Sequence, residues 1–231
     1  MAAPTVLIPG LACSARLYAG QIAALWRHGP VMVADHTRQD SMAAIAASIL
    51  AEAPPRFALA GLSMGGYVSF EILRQAPGRV ARLALLDTQA TPDAPEASER
   101  RRAQIALARQ GRMREVVDQL FPNLVHPARV DDRTLLELNY RMAEEVGLEG
   151  FVRQQTAIIG RPDSRPDLPR IACPTLVLVG DGDRITPEAK AREMAEAIDG
   201  AQLVVIPASG HLSTLEQPEM VTAALEAWAA A

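Results

Sequence analysis

The feature that most narrows the fold is a rhythm of short, continuous apolar runs separated by helical patterns. Thr5 to Pro9, Val31 to Ala34, Phe57 to Ala60, Val80 to Leu86, Thr175 to Val179 and Leu203 to Ile206 read as strands, with Arg82 expected at an edge or frayed position of the fourth. Apart from Thr5, Thr175 and Arg82 they are apolar rather than alternating, which is the pattern of strands buried on both faces. Between them, apolar residues fall on helical spacing. Leu17, Ile22 and Leu25 share a face of Arg16 to Arg27. Met42, Ile45, Ile49 and Leu50 do so in a helix that Ser41 opens and Pro54 and Pro55 close. Met64 to Gln75, Glu188 to Ile198 and Leu215 to Ala229 complete the set. Strands and helices alternating in this way bury their apolar faces by sandwiching a parallel sheet between two helical layers. A doubly wound, mainly parallel sheet of about six strands is expected.

The rhythm fails between Thr88 and Cys173. Four helical patterns replace it: Glu96 to Ala108, Met113 to Phe121, Arg133 to Glu145 and Leu148 to Ile159. In the second, Val116, Val117 and Leu120 fall on one side and Arg112, Arg114 and Asp118 on the other, an amphipathic helix. The return segment Gly160 to Pro169 contains three prolines, which suit a hinge or tether better than a helix. The expected organisation is a core of residues 1–90 and 166–231 interrupted by an all-helical cap at 91–165.

Composition removes several classes of function. Of 231 residues 49% are apolar and 22% charged, so the chain can bury a core. With 23 basic against 27 acidic side chains, the net charge of −4 lacks the surplus of cations that phosphate-bound proteins carry, and no nucleic-acid partner is expected. No apolar run approaches the roughly 20 residues that span a bilayer, and Met1 to Pro9 has no basic leader region, so neither membrane nor export is expected and the location is read as cytoplasmic. Cys13 and Cys173 are too few for a disulfide framework or, without other ligands, a zinc cluster; no metal and no cofactor is called for.

Chemistry concentrates where strands end. Gly61-Leu62-Ser63-Met64-Gly65-Gly66 lies between a strand and a helix, the context that gives a G-x-S-x-G pattern meaning. Two glycines allow a sharp turn that lifts the Ser63 hydroxyl off the sheet and leaves the Met64 N–H at a helix start, facing a developing oxyanion. A serine hydroxyl needs a base. Of four histidines, His28 reads as a surface residue, His36 as a loop hydrogen-bonding residue beside Asp35, and His126 as part of the insertion. His211, in a loop after the last strand, is the candidate base. Asp183, just after the fifth strand, is the candidate carboxylate to orient it; Asp181 and Asp87 compete for that role. Gly10 permits close approach after the first strand, where the Leu11 N–H is a second oxyanion donor. Cys13 lacks a neighbouring base and reads as a pocket-lining thiol, and Tyr18, Met64, Tyr67 and Leu212 are further pocket candidates by proximity to these motifs.

Together the Gly10-Leu11 loop, Gly61-x-Ser63-x-Gly65, Gly180-x-x-Asp183 and Gly210-His211 resemble the α/β-hydrolase superfamily over almost the whole chain. The resemblance implies a Ser63-Asp183-His211 triad acting through an acyl-enzyme, and places the helical insertion where the family carries its cap. Two departures stand out: Pro9-Gly10 replaces the family's usual His-Gly, and the first run corresponds to the family's third strand, so two leading strands are expected to be absent. Relatives that open haloalkanes or epoxides resemble this layout but carry Asp where Ser63 stands. True lipases often carry large apolar lids, whereas Glu96, Glu99, Arg100, Arg101 and Arg102 charge the first cap helix. A subset of those arginines, or Arg153, is a candidate contact for an acidic substrate. The expected activity is hydrolysis of a small to medium carboxylic ester, thioester or lactone, with a small acyl substrate and water as the partners. Carbon–carbon hydrolysis or acyl transfer by the same triad, and a low-turnover small-molecule receptor on this fold, are the alternatives.

Overall fold

The computed structural model describes residues 3–230; Met1 and Ala2, which open the stretch read for a leader, and Ala231 lie outside the described residues. Six strands, β1 (Thr5–Ile8), β2 (Val31–Val33), β3 (Phe57–Leu62), β4 (Val80–Leu86), β5 (Thr175–Gly180) and β6 (Gln202–Ile206), form one sheet in the order β2-β1-β3-β4-β5-β6. Every neighbouring pair is parallel. The chain starts in the interior, steps outward to β2, then crosses back to β3. The strand order therefore reverses between β1 and β3, and in open α/β sheets the crevice beyond the carboxyl ends of the strands at such a reversal is where ligands bind.

Strand periodicity explains the two cores. On β4, Leu83 and Leu85 face one side while Ala84 and Leu86 face the other. The first side packs against α2 (Met42–Glu52), α3 (Met64–Gln75) and α7 (Glu188–Ala197) through Ile45, Ile49, Val68, Ile72 and Met194. The second packs against α1 (Ala19–Trp26) and α9 (Pro218–Ala230) through Leu25, Val221, Leu225 and Trp228. At about 1.5–3 kcal/mol for each fully buried large apolar side chain, these two layers dominate the stabilisation of the sheet. None of the helices among the described residues is long and apolar enough to cross a membrane.

Between β4 and β5 the chain inserts α4 (Pro95–Arg109), α5 (Met113–Leu124) and α6 (Arg133–Ile159). The last runs past the break expected near residue 147, but Gly147 leaves helical geometry there (φ 71°, ψ 168°), so the two predicted segments are joined across a kink. An ion pair closes the insertion: Asp93 on the outgoing chain meets Arg161 on the returning chain at 2.7 Å.

Three local expectations change. The proline-bearing return segment, expected as a tether, forms a 3-10 helix over Arg165–Arg170, because Pro166 sits in the first turn, where no N–H is missed. The final helix is split into α8 (Ser213–Glu216) and α9, with Pro218 starting the second piece. Arg82 lies on an interior strand rather than an edge, but near its frayed start: it follows an irregularity in the β3–β4 register, the β5 pairing begins only at Leu83, and its guanidinium reaches the Trp228 carbonyl at 2.9 Å.

Candidate active site

Ser63 follows β3 directly and stands at φ 54°, ψ −113°, a strained conformation for a residue with a Cβ. Its surroundings hold it there. The Ser63 N–H donates to the Leu86 carbonyl (2.9 Å), and its own carbonyl accepts from the Gly66 N–H (2.9 Å) and the Thr88 hydroxyl (2.8 Å). A Cβ on Gly61 would come within 2.3 Å of the Gly65 carbonyl oxygen, and one on Gly65 within 2.1 Å of the Ile8 carbonyl oxygen. Only glycine lets α3 leave β3 so abruptly while pressing on β1. Gly10, expected to be needed for close approach, is not crowded: its nearest contacts for a Cβ lie at 3.5 Å. The tight element of that loop is Ala12, at φ 55°.

His211 comes from the loop between β6 and α8 and is buried at 3% exposure. Its Nε2 lies 2.8 Å from Ser63 Oγ, and its Nδ1 lies 2.8 Å from Asp183 Oδ2. The tautomer that satisfies both contacts carries hydrogen on Nδ1, which donates to Asp183, and leaves Nε2 to accept the Ser63 proton. Asp183 is fixed in turn by the N–H groups of Ile185 (2.8 Å) and Thr186 (2.9 Å) on Oδ1 and by the Thr186 hydroxyl (2.7 Å) on Oδ2. Burial by itself would raise the Asp183 carboxyl. The His211 charge and these donors outweigh it and hold the group below the usual carboxylate range. Burial likewise pulls His211 down, but Asp183 overrides it and the imidazole titrates above its ordinary value.

The competing acids do other work. Asp181 accepts the Ser209 N–H at 3.2 Å and shapes the turn. Asp87 is fully buried at the end of β4, accepting from the Gly180 N–H (2.9 Å) and the Ser213 hydroxyl (2.5 Å) rather than from the imidazole. Burial, reinforced by the Asp183 charge, pushes its carboxyl up to about 8. His28 is half-buried near Glu226, and His126 accepts the Ala128 N–H. His36 is buried, with Nε2 3.0 Å from the Gly10 carbonyl oxygen.

A cavity of about 370 Å³ opens over Ser63 and His211, at the small end of ligand-binding pockets. Leu11, Cys13, Tyr67 and Leu212 are among the residues that line it. The Leu11 N–H donates to none of the described residues, and the Met64 N–H opens α3, so both amides are available to a ligand oxygen. Burial pushes the Cys13 thiol up to about 12, which removes it as a nucleophile. Tyr18 and Met64 are corrections: neither reaches the cavity. The 3-10 turn Ala15–Tyr18 tucks the Tyr18 ring into the core with its hydroxyl donating to the Ile8 carbonyl (3.0 Å), and the Met64 side chain packs beneath the sheet. Arg100 and Arg101 line the cavity, whereas Arg102 and Arg153 do not.

The sequence offered no signal for Gln154. From α6 its Oε1 accepts the Ala12 N–H (2.9 Å) and its Nε2 approaches His36 (3.1 Å), so an inserted helix buttresses the loop that carries Leu11. Thr186 was legible in principle, because Asp183 three residues before a threonine is a turn that caps itself.

A parallel sheet with a hydroxyl, an imidazole and a carboxylate gathered at its carboxyl edge defines the α/β-hydrolase architecture. The chain belongs to the alpha/beta hydrolase family, whose profile matches residues 5–224. Among solved structures, a thermophilic esterase from Thermogutta terrifontis is 33% identical with a TM-score of 0.88, over 98% of this chain and 89% of that one. Among curated proteins, the dihydrolipoyllysine-residue acetyltransferase component of the acetoin cleaving system of Pseudomonas putida is 32% identical over 71% of this chain, and 3-oxoadipate enol-lactonase 2 of Acinetobacter baylyi is 27% identical over 75%. The chain spans 42% and 63% of the lengths of these two relatives.

Proposed function

We propose that the protein is a serine hydrolase of small carboxylic esters, thioesters or lactones, with residues 1–90 and 166–231 as the catalytic core and 91–165 as a cap over the substrate. The carrying observation is the continuous contact from Ser63 Oγ through His211 to Asp183, 2.8 Å at each step, opening on one cavity. Ser63 Oγ attacks the substrate carbonyl carbon as its proton passes to His211 Nε2. The carbonyl π-electrons move onto oxygen, which the Leu11 and Met64 amides stabilise. Collapse expels the leaving group, which takes the proton from His211, and an acyl-Ser63 remains. Water, deprotonated by His211, attacks the acyl carbon and releases the acid, restoring the Ser63 hydroxyl. Asp183 stays ionised and stabilises the imidazolium in both halves. An esterase and an enol-lactonase among the relatives support this reaction class.

Turnover of a series of chromogenic short-chain esters and lactones, with wild type and Ser63→Ala in parallel, tests the reading. Wild type should hydrolyse at least one of them, and the variant should lose several orders of magnitude in kcat while keeping the wild-type fold. Near-normal hydrolysis by Ser63→Ala refutes it.

A further inference from the structure

The chain as a whole carries a net charge of −4, yet four arginines, Arg100, Arg101, Arg161 and Arg184, line its active-site cavity against a single carboxylate, Asp93. That carboxylate is saturated. Its Oδ1 accepts Arg161 Nη1 at 2.7 Å, and its Oδ2 accepts Arg101 Nε at 3.1 Å and the Ser98 hydroxyl at 2.9 Å. Burial alone would raise Asp93, but the Arg101 and Arg161 charges prevail and hold it low, so it is ionised at neutral pH. One negative charge thus serves two guanidiniums, both largely enclosed, with side-chain exposures of 4% for Arg161 and 20% for Arg101. Within this enclosed pair one positive charge is left uncompensated, and Arg100 and Arg184 add further positive charge to the lining.

The donors are left over as well. Arg161 uses Nε on the Thr91 carbonyl and Nη1 on Asp93 and the Ile158 carbonyl; Arg101 uses Nε on Asp93 and Nη1 on Gln155. In both, Nη2 donates to none of the described residues, and neither Nη2 is among the atoms sealed without a partner. Holding the cap hinge closed needs one ion pair, whereas the second arginine adds a charge that burial makes costly unless a ligand completes it. The Arg161 guanidinium lies 4.4 Å over the Tyr67 ring, Tyr67 is one turn of α3 beyond Ser63, and Ser63, Tyr67, Arg101 and Arg161 line the same cavity.

We infer that Arg101 and Arg161 form a carboxylate-binding subsite, and that the natural substrate is an ester or lactone bearing one free carboxylate a few atoms from the scissile carbonyl. The inference rests on the hydrolase reading for its substrate and on the arginine pair for its charge. The two free amino groups of the enclosed pair match the two oxygens of a carboxylate. Arg100 and Arg184, exposed at the rim and without an ion pair among the described residues, extend the positive field outward and draw anions in.

Monomethyl and dimethyl glutarate provide the test, with kcat/KM taken per scissile ester, because the far end is a carboxylate in one and a neutral methyl ester in the other. The ratio of kcat/KM for the monoester over that for the diester should exceed one in wild type. It should fall about tenfold in Arg101→Gln, the effect of losing one charged hydrogen bond, and in wild type it should shrink as salt is raised. A wild-type ratio at or below one, or a ratio that Arg101→Gln leaves unchanged, overturns the subsite. Because a ratio is read within each preparation, partial misfolding cancels. Calorimetry with monomethyl glutarate on Ser63→Ala separates the two proposals. Monomethyl glutarate bound there and lost on adding Arg101→Gln supports the subsite even if wild type turns over neither ester, in which case the hydrolase reading alone fails. Turnover of both esters without charge preference does the reverse. Inorganic phosphate binding more tightly than monomethyl glutarate overturns the assignment to a carboxylate.

Discussion

Replacing Asp183 by Asn separates the two carboxylates that compete for the imidazole. Asp183 Oδ1 accepts two backbone N–H groups, from Ile185 and Thr186, so an asparagine keeps its carbonyl oxygen on that side. Its amide nitrogen then occupies the Oδ2 position, 2.8 Å from His211 Nδ1. An NH₂ group there donates, Nδ1 must accept, and the ring hydrogen moves to Nε2. Nε2 then points a hydrogen at Ser63 Oγ instead of a lone pair. The base is in the wrong tautomer and the imidazolium has lost its counter-ion, which costs about 10³–10⁴ in kcat, or roughly 4–5.5 kcal/mol of barrier. Because Asp183 is not among the residues lining the cavity, KM should change little. Steady-state hydrolysis of a chromogenic ester at pH 7.5, with circular dichroism to verify folding, measures this. A kcat within tenfold of wild type would mean that Asp183 is not the partner of His211.

Asp87→Asn should behave differently, with less than about a tenfold change in kcat, since a carboxyl pushed up to about 8 is already protonated near neutrality and an amide can keep both the Gly180 and Ser213 contacts. A raised acid binds protons in the fold that it releases when unfolded, so its contribution to stability is full below the ordinary carboxylate pKa and is lost as pH rises towards 8. Thermal melts should therefore show Asp87→Asn gaining on wild type between pH 5 and 8; parallel curves contradict this. Because Asp183 raises His211, the acid limb of kcat/KM should have its midpoint above the ordinary imidazole value of about 6.5, with activity rising as the base becomes neutral. A midpoint at or below that value argues against the pairing. Gly65→Ala places a methyl 2.1 Å from the Ile8 carbonyl oxygen, an overpacking cost of about 1–3 kcal/mol that should lower Tm by about 2–12 °C. An unchanged melting point would show that β1 and α3 do not press together there.

What the sequence disclosed and what it concealed follow from the range of the signals. Ser63, Asp183 and His211 each lie in a glycine-bearing turn or loop that follows a strand, so their placement is a local matter. Parallel strands ending at one edge bring them together. Tyr18 and Met64 are as near to those motifs in sequence as Tyr67 is, but proximity does not say which way a side chain points. The 3-10 turn before α1 rotates Tyr18 towards the Ile8 carbonyl. Gln154 and Arg161 could not be found because their partners lie far off: Ala12 is 142 positions from Gln154, and Asp93 is 68 from Arg161. The packing of the insertion onto the core, rather than any pattern within it, gives these residues their roles. Gly147 was legible as a break because it separates two periodicities, although the chain bridges it in one kinked helix.

The proposed mechanism stands on acylation of Ser63 Oγ, which peptide mapping by mass spectrometry after reaction with a fluorophosphonate reads out. One adduct per chain is expected, on the peptide containing Ser63, formed faster as pH rises through the titration of His211 and absent in Ser63→Ala. Folded wild-type protein that stays unmodified, or an adduct on another residue that persists in Ser63→Ala, contradicts it.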